Sequence, residues 1–397
     1  MVEKINSEIF GTDFTVEFVL EKLKIGNPDF HQCDLKNLVK VDAKDITGGS
    51  AFFSQVITLN FEWNDPTILP KSVVLKVPGI QAVAKDDDNL EDTEAYLEFC
   101  HENELIVYKF LSNSSKEFNT SLKIPNVYYG SNYSRSHRKG LIIMDDLSVN
   151  GASLKLLPGL NNIQVENTVT ELARIHALGW KSGKVREIEL NAREDNFPGE
   201  MKQIAQQLRS LRPSVFNKLL DKIDNIYNDK VFSYAVYNDE IKFGFPPTLV
   251  HSDLWSSNIL FEKRDNVITN NLLSIIDWQS GHPGNPSVDI GRLLGINTSV
   301  DYRRKNTERL LKHYYEIVCQ EMDNKPPLTF DQLKYAYAAG MGYVTMFLTF
   351  GAPYYYDMPA VVGTDENRET LRTELLDRVQ YFLEDTIEAY QRENITV

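Results

Sequence analysis

Asp253 and Asn258 stand five positions apart in Val250-His251-Ser252-Asp253-Leu254-Trp255-Ser256-Ser257-Asn258-Ile259-Leu260-Phe261, a polar centre between apolar edges. A carboxylate can accept the proton of an attacking hydroxyl, and a side-chain amide oxygen is a hard donor suited to Mg²⁺. The spacing is that of H-R-D-x-x-x-x-N, with a Leu after the Asp, in the loop that serves phosphoryl transfer. An Asp capping a turn and an Asn satisfying loop backbone would leave the same letters. The next segment narrows the choice: Asn271-Leu272-Leu273-Ser274-Ile275-Ile276-Asp277 is an apolar run ending in a carboxylate, followed by Trp278-Gln279. An acid at the end of a buried strand can be aimed past the sheet edge at a metal, the task of the Asp in D-F-G. The step of 24 positions from Asp253 to Asp277 leaves room for a hairpin.

The elements that must position these groups divide the chain. A short amphipathic helix is expected over 14–23, then strands over 35–46, 52–61, 72–77, 124–129 and 140–144. Between the first two strands lies Thr47-Gly48-Gly49-Ser50, where a glycine pair lets backbone N–H groups approach a polyphosphate, or makes a plain hairpin turn. Val73-Val74-Leu75-Lys76 has the pattern of the V-A-I-K strand, whose Lys meets the α- and β-phosphates; an edge-strand lysine reaching for water reads the same way. Residues 85–94 are charged and expected to form a mobile surface segment, with a helix over 97–111. Glu104, one turn before Tyr108, is placed to meet Lys76, and Glu102 is the competing carboxylate. Leu141-Ile142-Ile143-Met144-Asp145-Asp146-Leu147 is a buried strand running into acids, where Met144, Asp145 and Leu147 would flank and read an adenine.

After Asn150 helical periodicity takes over. A helix is expected over 162–180, with His176 as a satisfied core histidine, and further helices over 194–227 broken near Pro213. Asp289 follows a Gly/Pro-rich loop at a helix start, from which it can hydrogen-bond back to the 251–258 loop or simply cap its own helix. Residues 335–356 carry no charge and are long enough to span a bilayer, but Gly340, Gly342, Gly351, Pro353 and several tyrosines make a buried or pocket-lining helix the expectation, with no membrane span.

Bulk properties agree with this division. At 397 residues the chain exceeds one hydrophobic core, so two lobes are expected, 1–147 rich in strand and nucleotide-binding, 148–397 mainly helical, catalytic and acceptor-binding. A net charge of −14 opposes binding to nucleic acid. Three scattered cysteines and the lack of an apolar leader fit a reducing, cytoplasmic setting, and no obligate protein partner is evident.

His251-Ser252-Asp253-Leu254-Trp255-Ser256-Ser257-Asn258, Ile275-Ile276-Asp277-Trp278-Gln279, Gly284-Asn285-Pro286 and Asp289 together resemble the CHK kinase-like, or ecdysteroid-kinase-like, family, relatives of choline kinases and aminoglycoside phosphotransferases. Nematode and insect members are nearest in pattern. The resemblance implies a protein-kinase-like α+β fold, its N-lobe a mainly antiparallel β-sheet with a helix and its C-lobe mainly helical. It implies ATP and Mg²⁺, with a small-molecule hydroxyl as acceptor. By that resemblance Asp253 is the base, Asn258 and Asp277 hold metal, Lys76 and Glu104 position phosphate, Gly48, Gly49 and Ser50 cover it, and His251 and Asp289 support the loop. Ser252 departs from the family's usual Gly, and Asp145 from a usual Glu. Only 12 positions separate Asp277 from Asp289, too few for the activation segment on which a protein substrate docks, so a small acceptor is expected. Tyr354, Tyr355, Tyr356 and Trp180 could stack on a choline-like cation or line a steroid-sized apolar pocket; the lack of acids among them favours the second. The alternative is a catalytically silent kinase-like protein that binds nucleotide only.

Overall fold

The computed structural model describes residues 8–47, 54–79, 90–134, 136, 139–188, 197–236 and 240–396. The chain forms two compact units, one of Met1–Ser112, Ile124–Asn150 and Asp277–Gln279, the other of Asn113–Lys123, Gly151–Ile276 and Ser280–Val397. The first therefore reaches slightly past the expected boundary at 147 and also takes in the three residues that begin at Asp277.

In the first unit, α1 (Val16–Gly26) starts where the Thr15 hydroxyl accepts the Phe18 N–H at 3.2 Å. Its apolar stripe, Val16, Val19, Leu20 and Leu23, is buried, each such side chain contributing about 1.5–3 kcal/mol. The expected strand over 35–46 begins late: the Asp34 carboxylate accepts the Lys36 N–H and winds Leu35–Asn37 into a 3₁₀ turn before β1 (Leu38–Asp45). With β2 (Ser54–Trp63), β3 (Ser72–Pro78), β4 (Val127–Ser131) and β5 (Leu141–Asp145) it forms an antiparallel sheet in the order β1-β2-β3-β5-β4. Register puts Ile57 opposite Leu75 and Leu75 opposite Ile143, a stripe with no exposed surface that packs with Leu20, Leu23 and Phe30.

Side chains alternate along a strand, so Lys76, the residue after Leu75, projects from the opposite face. The next helix, α2 (Leu90–Glu117), buries Leu97, Cys100, Glu104, Val107, Tyr108 and Leu111, a helical stripe with one carboxylate in it. It begins inside the segment expected to be mobile and runs six residues beyond the expected end at 111.

The second unit is mainly helical. It opens with a short strand, β6 (Gly151–Ser153), which pairs with β8 (Ile259–Arg264), a pairing that the helical reading of this region did not foresee. The helix α3 (Asn162–Ser182) has a reciprocal capping box between Asn161 and Gln164 and ends at Gly183, whose φ of 64° suits glycine. Then come α4 (Phe197–Ala205), α5 (Pro213–Lys222), entered at the expected proline break, and α6 (Asp229–Val236). The strand β7 (Thr248–Val250) pairs with β10 (His282–Gly284), while β8 turns into β9 (Val267–Ile275) through Asp265 and Asn266, both with positive φ as a two-residue hairpin requires.

In α7 (Ser287–Asn297) every residue is buried. After α8 (Val300–Glu321), the uncharged stretch lies within α9 (Phe330–Asp357), a largely buried helix that packs on α10 (Arg368–Arg392). Gly342 allows that approach: a Cβ there would lie 2.2 Å from the Tyr390 hydroxyl. Among the described residues no helix is long and apolar enough to cross a membrane.

Candidate active site

The sheet of the first unit carries Lys76 to two carboxylates. Its Nζ lies 2.6 Å from Glu104 and 2.7 Å from Asp277, residues from a strand, a helix and the segment following β9. Burial alone would lower the Lys76 pKa, but the charges of Asp277 and Glu104 more than reverse this and keep it an ammonium. Burial pushes the Glu104 carboxyl up, against the pull of Lys76. Glu102 turns to solvent, 3.4 Å from the Asn132 amide, so Glu104 is the carboxylate that meets the lysine. Asp277 sits at φ +64°, a conformation costing an L-residue about 1 kcal/mol and found where surroundings enforce a direction. The segment is tied down by Asn103, whose amide donates to the Gln279 carbonyl at 2.8 Å.

The expected adenine-facing residues are arranged differently from one another. The Asp145 carboxylate is consumed by β4, accepting from the Asn126 N–H at 2.9 Å, its Nδ2 at 2.8 Å and the Tyr128 hydroxyl, while the Asp145 N–H donates to Asn126. Met144 is buried at the end of β5, and Leu147 opens a 3₁₀ turn that the Asp146 side chain caps. Gly48, Gly49 and Ser50 lie outside the described residues.

In the second unit the 251–258 loop leaves β7 and is held by α7. Both Asp289 oxygens accept backbone N–H groups, from His251 and from Ser252, each at 2.7 Å. His176 adds its Nε2 at 3.2 Å, its other nitrogen meeting the Tyr314 hydroxyl at 2.9 Å. Burial would raise the Asp289 pKa, but these contacts, led by His176, hold it below the usual carboxylate range. His176 is thus the buried, satisfied histidine that its position suggested, and it is the anchor of Asp289.

His251 accepts the Asp253 N–H at Nδ1, 3.2 Å away, which makes Nε2 the protonated nitrogen, donating to the Ile276 carbonyl at 2.9 Å. The Asn258 amide nitrogen donates to the Asp253 carbonyl at 2.9 Å, leaving its oxygen as the acceptor end. The Asn258 carbonyl takes the N–H of Ile276, the residue before Asp277, at 3.0 Å. Ser252 has φ +70°, the left-handed region that explains why glycine suits this position; its hydroxyl meets that of Tyr343 at 2.7 Å.

Three contacts were not read from the sequence. Arg292 donates to Asp253 Oδ1 at 2.7 Å, Trp255 Nε1 to Asp253 Oδ2 at 3.2 Å, and Asn297 to the Leu254 carbonyl at 2.9 Å. Asp289 and Arg292 stand three positions apart, about one helical turn, a polar pair that was available in the letters.

Residues 9–394 match the family described as Uncharacterized oxidoreductase dhs-27. The chain belongs to this DUF1679 family. The Uncharacterized kinase-like protein D1044.1 of Caenorhabditis elegans is 27% identical over 367 residues, covering 87% of this chain and 93% of that protein. The Uncharacterized oxidoreductase dhs-27 of the same organism is 27% identical over 229 residues, 54% of this chain but 27% of that protein, so its name describes a much longer molecule. The antiparallel sheet seen in the DUF1679 chain is not the parallel, doubly wound sheet of dinucleotide-binding folds. The fold is kinase-like: choline kinase from Cryptosporidium parvum superposes with a TM-score of 0.52 at 14% identity, over 95% of this chain and 99% of that one.

Proposed function

We propose that this chain is an ATP- and Mg²⁺-dependent phosphotransferase that moves the γ-phosphoryl group to a hydroxyl of a small molecule, within the ecdysteroid-kinase-like group that its motifs resemble. One observation carries the reading: the Lys76 ammonium lies 2.6 Å from Glu104 and 2.7 Å from Asp277, two carboxylates far apart in sequence gathered on one cation. A triphosphate needs such a fixed cation, and Glu104 holds it from behind.

The donor set fits Mg²⁺ bound together with a nucleotide. Among the described residues no three His, Cys, Asp or Glu gather into a cage. Mg²⁺ at a nucleotide needs only one or two protein oxygens, phosphate and water supplying the rest, and Asn258 Oδ1 with Asp277 would provide them. The ion would neutralise charge on the transferring phosphoryl group.

Asp253 would accept the hydrogen bond of the attacking hydroxyl and take its proton late, as the new O–P bond forms, the bond to the β-phosphate oxygen breaks and ADP leaves. Arg292 and Trp255 fix the carboxylate's direction, and Asp289 fixes the loop that bears it. The Arg292 contact also supports a second reading, a silent nucleotide-binding protein, because the guanidinium at 2.7 Å occupies one oxygen of the carboxylate that would take the proton. Incubating the purified protein with ATP, Mg²⁺ and a metabolite extract separates the two. A compound that gains one phosphoryl group only when the protein is present supports transfer; nucleotide binding without any such product supports the silent protein.

A further inference from the structure

Arg292 is 6% exposed and committed twice: it donates to Asp253 Oδ1 at 2.7 Å, and its guanidinium carbon lies 4.6 Å from the centre of the Phe347 ring. Its Nε has no hydrogen-bond partner among the described residues. The other Asp253 oxygen takes the indole N–H of Trp255, whose ring packs on Tyr355 at 4.6 Å. The Tyr343 ring lies 4.8 Å from that of Phe347, and its hydroxyl meets that of Ser252. The proposed base therefore stands among aromatic rings, the usual furnishing for a quaternary ammonium.

A cationic alcohol, however, needs an unneutralised carboxylate or a free ring face. Arg292 neutralises Asp253 and occupies the Phe347 face with the protein's own cation. Asp289, one turn earlier on α7, offers no substitute, since its oxygens are taken by His251, Ser252 and His176. Building on the phosphotransferase reading, we propose that Arg292 is a positioning and specificity residue: it aligns the Asp253 carboxylate and rejects acceptors with a positive charge near the hydroxyl, so the alcohol that lies against this wall is uncharged there. Specificity by an unfavourable like-charge contact needs no recognition group for the correct substrate beyond apolar surface.

The test uses choline and its uncharged isostere, in which carbon replaces nitrogen, each titrated into the full chain with Mg²⁺ and a non-hydrolysable ATP analogue while tryptophan fluorescence is followed. The wild type should respond to the isostere at about tenfold lower concentration or less than to choline. Arg292→Gln should narrow that ratio about fivefold or more, and Arg292→Lys, which keeps the charge, should preserve it. Equal response of the wild type to both alcohols, no response to either, or an unchanged ratio in a Gln variant with native circular dichroism would overturn the assignment. A wild-type preference stands as support even where the Gln variant fails to fold. Absence of phosphoryl transfer to a bound alcohol would count against the phosphotransferase reading and leave the role of Arg292 intact.

Discussion

The two units hold their polar residues by opposite means. In the first, Lys76, Glu104 and Asp277 are kept together by charge, side chain to side chain. In the second, the 251–258 loop is held through its backbone: Asp289 grips two N–H groups, Asn297 a carbonyl, and Asn258 another. A charge clamp can exchange partners when a ligand brings charges of its own, whereas a capped loop has one arrangement and loses it when a cap is removed. Substitutions in the charge clamp should thus act mainly on ligand affinity, and those of the groups that cap the loop on folding.

The largest expected effect is on the capped loop. Asp289→Ala strands two buried N–H groups and the His176 ring, and should cost about 3–5 kcal/mol in urea denaturation. A loss under about 1 kcal/mol would mean that the loop is held by something else.

Acid should separate the units next. His101, buried in the first unit with Nε2 at 2.8 Å from the Ser131 carbonyl, is pushed down by burial to about 4 from 6.5. Between those values the unfolded chain binds the proton that the folded one refuses, so the His101 contribution to stability falls as pH drops from 6.5 to 4, by about 1–3 kcal/mol, against the opposite contribution of Glu104. Asp289, held below its ordinary 3.8, contributes stability that is present above that value and lost only at still lower pH. His101→Gln should flatten the first window alone, as urea midpoints across pH would show.

The smallest effect on stability is expected at the clamp. Glu104→Gln leaves Lys76 with Asp277 and removes a carboxylate that burial disfavours, so unfolding should change by about 1 kcal/mol or less. Affinity for a fluorescent ATP analogue should fall about tenfold, because the ammonium is no longer held from behind. A large stability loss with unchanged affinity would reverse the comparison.

The sequence made the two ends of this contrast legible to different degrees. The V-A-I-K-like strand, the spacing of Asp253 to Asn258 and the strand that leads to Asp277, although it ends two residues earlier at Ile275, are local patterns, and local patterns survive in one dimension. Glu104 was readable from its place one turn before Tyr108, with Glu102 as the competing carboxylate. What the letters did not show were the partners that packing chose: Asp253 for Arg292 and Trp255, the Leu254 carbonyl for Asn297, and Asn126, just before β4, for Asp145. Element ends misled where a side chain overrode propensity, as Asp34 did before β1.

Asp253→Asn is the most direct test, since it keeps the size and the Trp255 and Arg292 neighbours of the side chain while removing its charge. With an acceptor found in an extract, phosphoryl transfer from ATP should fall by at least about a hundredfold while affinity for MgATP changes by less than about threefold. Transfer at the wild-type rate in a folded Asp253→Asn variant would contradict the assignment of Asp253 as the base and with it the proposed reaction.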